Sequence, residues 1–178
     1  MIVVNLYGSP GAGKSTGAAY IFSKLKMAGV NAELVTEFAK DMVWDGSTDV
    51  LEDQIYVFGQ QYHRLKRLET KVDVVITDSP ILLGMFYCTD NSIKAELQRL
   101  MEVANQHFNN WNYFVLRDKP YNPTGRLQTE AESESISHEL KHYLIDNHIS
   151  FDEVYGCQQS YDQIVTEINT RLCTSFRK

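Results

Sequence analysis

Short apolar runs alternate with longer amphipathic stretches along the whole chain. That alternation predicts an α/β fold, a parallel sheet whose strands are joined by crossover helices. Residues 2–7 form the first predicted strand and lead into a glycine-rich turn. Residues 14–28 then carry Ala18, Phe22 and Leu25 on one helical stripe, and Gly29 stops that helix. A second short strand is expected at 32–36. Residues 49–68 read as a strongly amphipathic helix, with Leu51, Ile55, Phe58, Tyr62 and Leu65 in phase and Asp49 with Glu52 at a capped start. Residues 72–77 are nearly all apolar, as a strand buried on both faces requires. A helix over 93–108 places Ile93, Leu97, Leu100, Ala104 and Phe108 together. A fourth strand at 113–116 is followed by a polar loop, 117–128. Thr129 and Glu132 form a capping box for a helix reaching about residue 147. A fifth strand at 151–155 precedes a last helix that Ser160 and Gln163 are expected to cap. Each strand is thus followed by a helix, and right-handed crossovers follow from that order.

The length of 178 residues fits one domain, 1–178, with room for a full core. At 43% hydrophobic and 22% charged, the composition is that of an ordinary globular protein. Seventeen Lys and Arg against 23 Asp and Glu give a net charge of −6. That balance counts against a dedicated duplex-DNA binder but leaves a local basic site open. Cys88, Cys157 and Cys173 form no CxxC pair, which argues against a cysteine-type zinc site. An odd count of thiols, a start without a basic leader and no long apolar run point to a cytoplasmic protein that does not enter a membrane.

The chemistry is carried first by residues 8–15, which fit GxxxxGK[ST] with Gly8, Gly13, Lys14 and Ser15. The placement matters as much as the pattern, because it follows a predicted strand and opens a predicted helix. Glycines let backbone N–H groups close around phosphate oxygens, and the helix N-terminus adds its dipole. The expected nucleotide contacts are Gly8, Ser9, Pro10, Gly11, Ala12, Gly13, Lys14, Ser15 and Thr16. Lys14 is expected at the β- and γ-phosphates and the Ser15 hydroxyl on Mg²⁺. A second metal-facing group is supplied by Asp78, which ends the apolar run Val74-Val75-Ile76-Thr77 at the same sheet edge. The competing reading of Asp78 is a turn aspartate before Ser79-Pro80.

Glu37 follows the second strand and falls at that edge too. A carboxylate there suits the proton of an acceptor hydroxyl, and equally suits a helix start near Asp41. The 117–129 segment offers Arg117, Lys119 and Arg126 either as a closing lid or as a solvated basic loop. Gln54, Gln61 and Arg64 lie on the polar side of the 49–68 pattern, as base- or phosphate-reading groups or as a solvated face. The loop near residues 156–160, a candidate for contacting the nucleotide base, has no decisive code. His138-Glu139-Leu140-Lys141-His142 matches HExxH, but the stripe of Ile136, Leu140, Tyr143 and Leu144 puts both histidines on the solvent side. Thr70-Lys71-Val72-Asp73 precedes Asp78, the wrong order for a guanine-reading motif, and reads as a turn.

These blocks resemble one group, the small P-loop nucleoside and nucleotide kinases. The resemblance rests on Gly8 to Ser15, Glu33 to Lys40, the helix holding Gln54 and Gln61, Val75 to Pro80, and Arg117 through Glu130. It is nearest to the ribosylnicotinamide kinase domains of bacterial NAD regulators and to small P-loop kinases of tailed phages. The resemblance implies a three-layer fold with a five-stranded parallel sheet of order 2-3-1-4-5 and a mobile lid. It implies that Lys14, Ser15 and Asp78 hold Mg-ATP and that Glu37 faces the phosphoryl acceptor. One departure is plain: Ser79 and Pro80 follow Asp78 where deoxynucleoside kinases often carry arginine. Arg64, Arg117 or Arg126 would then have to supply that charge. The expected activity is ATP- and Mg²⁺-dependent transfer to a nucleoside, nucleotide or related small molecule. Two alternatives stand beside it: a phage-type kinase acting on 5-hydroxymethyluracil in DNA, and a P-loop ATPase switch with a protein partner.

Overall fold

The computed structural model describes residues 1–122 and 128–175. Its strands are β1 (Ile2–Tyr7), β2 (Ala32–Val35), β3 (Val74–Thr77), β4 (Asn109–Leu116) and β5 (Asp152–Tyr155). The helices are α1 (Lys14–Met27), α2 (Phe38–Trp44), α3 (Gln54–Lys66), α4 (Leu83–Tyr87), α5 (Lys94–Gln106), α6 (Glu130–Asp146) and α7 (Gln158–Ser175). The five strands form one sheet of order β2-β3-β1-β4-β5, and each pairing is parallel. This is the order that the resemblance implied. All C-terminal strand ends therefore lie along one edge, which gathers the turns after β1, β2 and β3.

The strand period of two sorts β1 between two cores. Ile2, Val4 and Leu6 pack with Ala18, Ile21 and Leu25 of α1 and with Tyr161, Ile164 and Ile168 of α7. Val3 faces the other side with Phe58 and Leu65 of α3, Met85 of α4, and Leu97 and Met101 of α5. Tyr7 and Phe114 pack on that side against Leu140 and Leu144 of α6. Each fully buried Leu or Ile contributes about 1.5–3 kcal/mol. These two layers of helix hold the sheet edge rigid beneath the site.

Several expectations shift. Residues 48–52 wind as a tighter 3-10 turn, so Asp49 and Glu52 do not cap the helix. Asp53 does, accepting from Tyr56 N–H at 3.0 Å. The phase turns with it: Ile55 is 53% exposed, and Gln54, Phe58, Gln61 and Leu65 face inward. In α5, Met101 replaces Leu100 in the core, and Leu100 is 53% exposed. β4 begins four residues before the predicted 113, within an asparagine-rich stretch of poor strand propensity. There Asn5 donates to Asn110 Oδ1 at 2.9 Å and Asn112 Oδ1 at 3.0 Å, so the amides satisfy one another across the pairing. α7 starts at Gln158 and leaves Ser160 inside the helix. The capping box of Thr129 and Glu132 forms as expected, and so does the turn at Thr70. His138 and His142 lie exposed on α6, on the side away from Leu140 and Leu144. No helix among the described residues is long and apolar enough to cross a membrane.

Candidate functional site

The turn from β1 into α1 has a backbone that the sequence permits only because of its glycines. Gly8 sits at φ 138° and Gly13, the residue before α1, at φ 105°. Both lie in the left-handed region that side chains avoid. A Cβ at Gly8 would also stand 2.6 Å from the Val115 carbonyl oxygen. Lys14 folds back over this loop, its Nζ donating to Gly8 O at 2.7 Å and Ser9 O at 3.0 Å. Ser15 and Thr16 are exposed in the first turn of α1, with the free N–H groups of a helix start beside them.

The loop is braced from three sides by residues that no motif singles out. Ser133 of α6, almost wholly buried, donates to Pro10 O at 2.6 Å. Tyr161 of α7 donates to Gly13 O at 3.1 Å. Its ring fills the space over Gly17, where a Cβ would approach within 2.5 Å. Gly156, after β5, lies so close that a Cβ would stand 2.1 Å from Ala12 O. The glycine at 156 is the one readable signal among these. Ser133 and Tyr161 look like ordinary helix residues in the sequence.

Asp78 lies across from the loop at the end of β3, only 5% exposed. Its Oδ1 is out of contact with solvent and has no hydrogen-bond partner among the described residues. A buried carboxylate oxygen without a donor is costly, and a divalent cation is the chemistry that best answers it. The Ser15 hydroxyl, exposed in the first turn of α1, and the Asp78 carboxylate make an all-oxygen donor set, as Mg²⁺ requires. The residues therefore fit the metal.

Glu37 lies between β2 and α2 and is half-buried. Burial pushes its carboxyl above the ordinary glutamate range; Lys14 opposes that shift and Asp78 adds to it, with smaller effects from Lys40 and Asp41. The fold thus brings Lys14, Asp78 and Glu37, from three separate turns, into one electrostatic group. Tyr87 at the end of α4 belongs to the same neighbourhood. Burial raises its phenol and the Glu37 charge raises it further. Tyr87 is not legible from the chain, because α4 is a short helix with no periodic signal.

The other expected residues are placed differently. Gln61 is 4% exposed, so the solvated-face reading of it is corrected. Its amide engages the backbone around the turn after β2, accepting from Phe38 N–H at 3.1 Å. Gln54 is also inward, donating to Leu51 O at 2.7 Å. Arg64 is bound to the same turn, through Thr36 O at 3.1 Å and Asp41 Oδ2 at 2.6 Å, with its guanidinium 5.4 Å from the Phe38 ring centre. Arg117, at the end of β4, pairs with Glu130 at 3.0 Å and Glu134 at 2.7 Å in the first turns of α6. Its guanidinium also lies 5.4 Å from the Tyr121 ring centre. Tyr121 in turn donates to Gln128 O, so both flanks of the 117–129 segment are fastened together. Arg126 lies outside the described residues.

A model of the AAA domain family (AAA_28) matches residues 3–160, from β1 to the start of α7. The chain belongs to this family. A search of curated proteins finds no match. The AAA_28 family is of P-loop NTPase type, which agrees with the glycine loop, the parallel sheet and the acid on β3. For this AAA domain, membership implies nucleotide binding, and Mg²⁺ typically accompanies it. The matched span includes Lys14, Glu37 and Asp78.

Proposed function

We propose that this AAA-domain protein is an ATP- and Mg²⁺-dependent phosphotransferase that phosphorylates a hydroxyl of a nucleoside, nucleotide or related small molecule. The observation that carries the reading is Glu37. A P-loop with a β3 carboxylate serves hydrolysis and transfer alike. A second, half-buried carboxylate beside Lys14 and Asp78, held above its ordinary proton affinity, suits a base for an acceptor alcohol. Backbone N–H groups of the loop cradle the phosphates, and Lys14 exchanges the carbonyls of Gly8 and Ser9 for phosphate oxygens. Ser15 and Asp78 would hold Mg²⁺, which when bound neutralises charge between the β- and γ-phosphates. Glu37 takes the proton as the acceptor oxygen bonds to the γ-phosphorus. The bond from that phosphorus to the bridging oxygen breaks, and ADP leaves. Arg117 and Arg126 are the proposed cations of the lid. Arg117 would have to leave Glu130 and Glu134 to reach the phosphoryl group.

The test is a transfer screen with terminally labelled Mg-ATP. Acceptors are nucleosides, nucleoside monophosphates, nicotinamide riboside and DNA carrying 5-hydroxymethyluracil. Label on a small molecule, lost in Lys14→Ala, is the expected result. Label on DNA would move the acceptor to a base in a polymer. Label released only as phosphate would make the chain an ATPase and direct attention to a protein partner. Normal turnover by Lys14→Ala would overturn the assignment.

A further inference from the structure

Glu37 and Asp78 follow the neighbouring strands β2 and β3, and among the described residues no hydrogen bond joins them. What joins their supports is one buried side chain. Gln61 Oε1 accepts from Phe38 N–H at 3.1 Å, and Nε2 donates to Thr36 O at 3.4 Å. Those are the two residues flanking Glu37. The same Nε2 lies 3.4 Å from Thr77 Oγ1. Thr77 Oγ1 in turn accepts from Ser79 N–H at 3.1 Å, so the residues flanking Asp78 are tied to the same amide. Thr77 is fully buried and Gln61 is 4% exposed, so the bonds of Gln61 to Phe38 N–H and Thr77 Oγ1 are shielded from water. The task needs a donor and an acceptor on one side chain, which glutamine has and ionised glutamate lacks.

We infer that Gln61 is a positioning residue: through its two-sided amide it sets the spacing of Glu37 from Asp78, and so of the base from the metal-holding carboxylate. This rests on the phosphotransfer reading for its consequence, but the clamp has a readout of its own. Gln61→Met keeps the length of the side chain and removes both amide functions. Thr77→Val keeps the shape and removes the β3 side of the clamp together with the acceptor of Ser79 N–H, so it is read at Phe38 N–H and serves if Gln61→Met does not fold. Hydrogen exchange by NMR is measured on the wild type, both single variants and the double variant. The expected result in Gln61→Met is exchange at least tenfold faster at Phe38 N–H and also at Ser79 N–H, with β1 unchanged. In transfer assays, kcat should fall tenfold or more while KM for Mg-ATP stays within twofold. At Phe38 N–H the double variant should exchange no faster than Gln61→Met alone, because there both changes act through the one amide. Unaltered exchange at Ser79 in Gln61→Met, or multiplied effects at Phe38 in the double variant, would overturn the clamp. An equal loss in kcat and in Mg-ATP affinity would show a general structural role and overturn the positioning. Absence of transfer by the wild type is a failure of the kinase reading alone, and the exchange data then decide the clamp by themselves.

Discussion

The unpartnered oxygen of Asp78 makes a prediction that separates stability from function. Leaving a buried polar group without a partner costs about 1–3 kcal/mol, more when it is charged. Asp78→Asn keeps the shape and removes the charge. A recovery of about 1–2 kcal/mol corresponds to a rise of about 2–8 °C in the melting temperature of a chain this size. The ligand response should move the opposite way. Mg-ATP at a hundred times its Kd stabilises the wild type by about 2.7 kcal/mol, or about 5–11 °C. In the variant, the part of that rise that depends on Mg²⁺ should vanish. The assay is thermal unfolding of both proteins alone, with ATP and a chelator, and with Mg-ATP. A variant that melts lower than the wild type and keeps its full Mg²⁺ increment would refute the reasoning. The Asp78 oxygen would then be satisfied by protein dipoles, and the metal would sit elsewhere.

Three further predictions concern Glu37 and the loop after β1. Glu37→Gln should lower kcat by about 10²–10⁴ and leave Mg-ATP binding intact, as measured by steady-state kinetics and calorimetry. Because burial raises the folded-state proton affinity of Glu37, its ionisation costs stability as pH rises from the unfolded glutamate value through the folded one. The variant should therefore melt above the wild type at pH 8, with the advantage fading as the pH is lowered towards 4; an advantage that grows in acid would contradict the sign. Gly156→Ala places a methyl 2.1 Å from Ala12 O and must displace the loop. With overpacking costing about 1–3 kcal/mol, Mg-ATP affinity should fall about 5- to 150-fold, and an unchanged Kd would show that the loop yields freely.

The order of elements was legible because it rests on periods. β1 and β3 are written in runs of Val, Ile and Leu that leave few alternatives, and the capping box at Thr129 and Glu132 marks α6 from four residues. What failed was phase and extent. The 3-10 turn at 48–52 consumes residues at a different pitch, so a stripe counted from Leu51 arrives rotated by the time it reaches Gln61. The early half of β4 was hidden because asparagine disfavours strands when taken alone. It is stable there because three asparagine amides meet across β1 and β4, a fact available only once the pairing is known.

The site divides along the same line. Lys14, Ser15 and Asp78 are local: each is set by its own strand and turn, and a spacing rule finds them. Glu37 is legible as a position but not as a carboxyl of raised proton affinity, because that depends on burial and on charges carried by two other turns. The burial of Gln61 is illegible for a deeper reason. Polarity on a helix normally reports solvent, and here it reports a buried obligation to the backbone of two loops. Nothing distinguishes the two cases within α3 itself. The distinguishing fact is that turns after β2 and β3 leave peptide groups inside the fold, where each must be paired. Sites at the edge of a parallel sheet create such groups wherever the strands stop. A glutamine on the helix packed against that edge is therefore better tested first as a brace for the site than as a contact for its ligand.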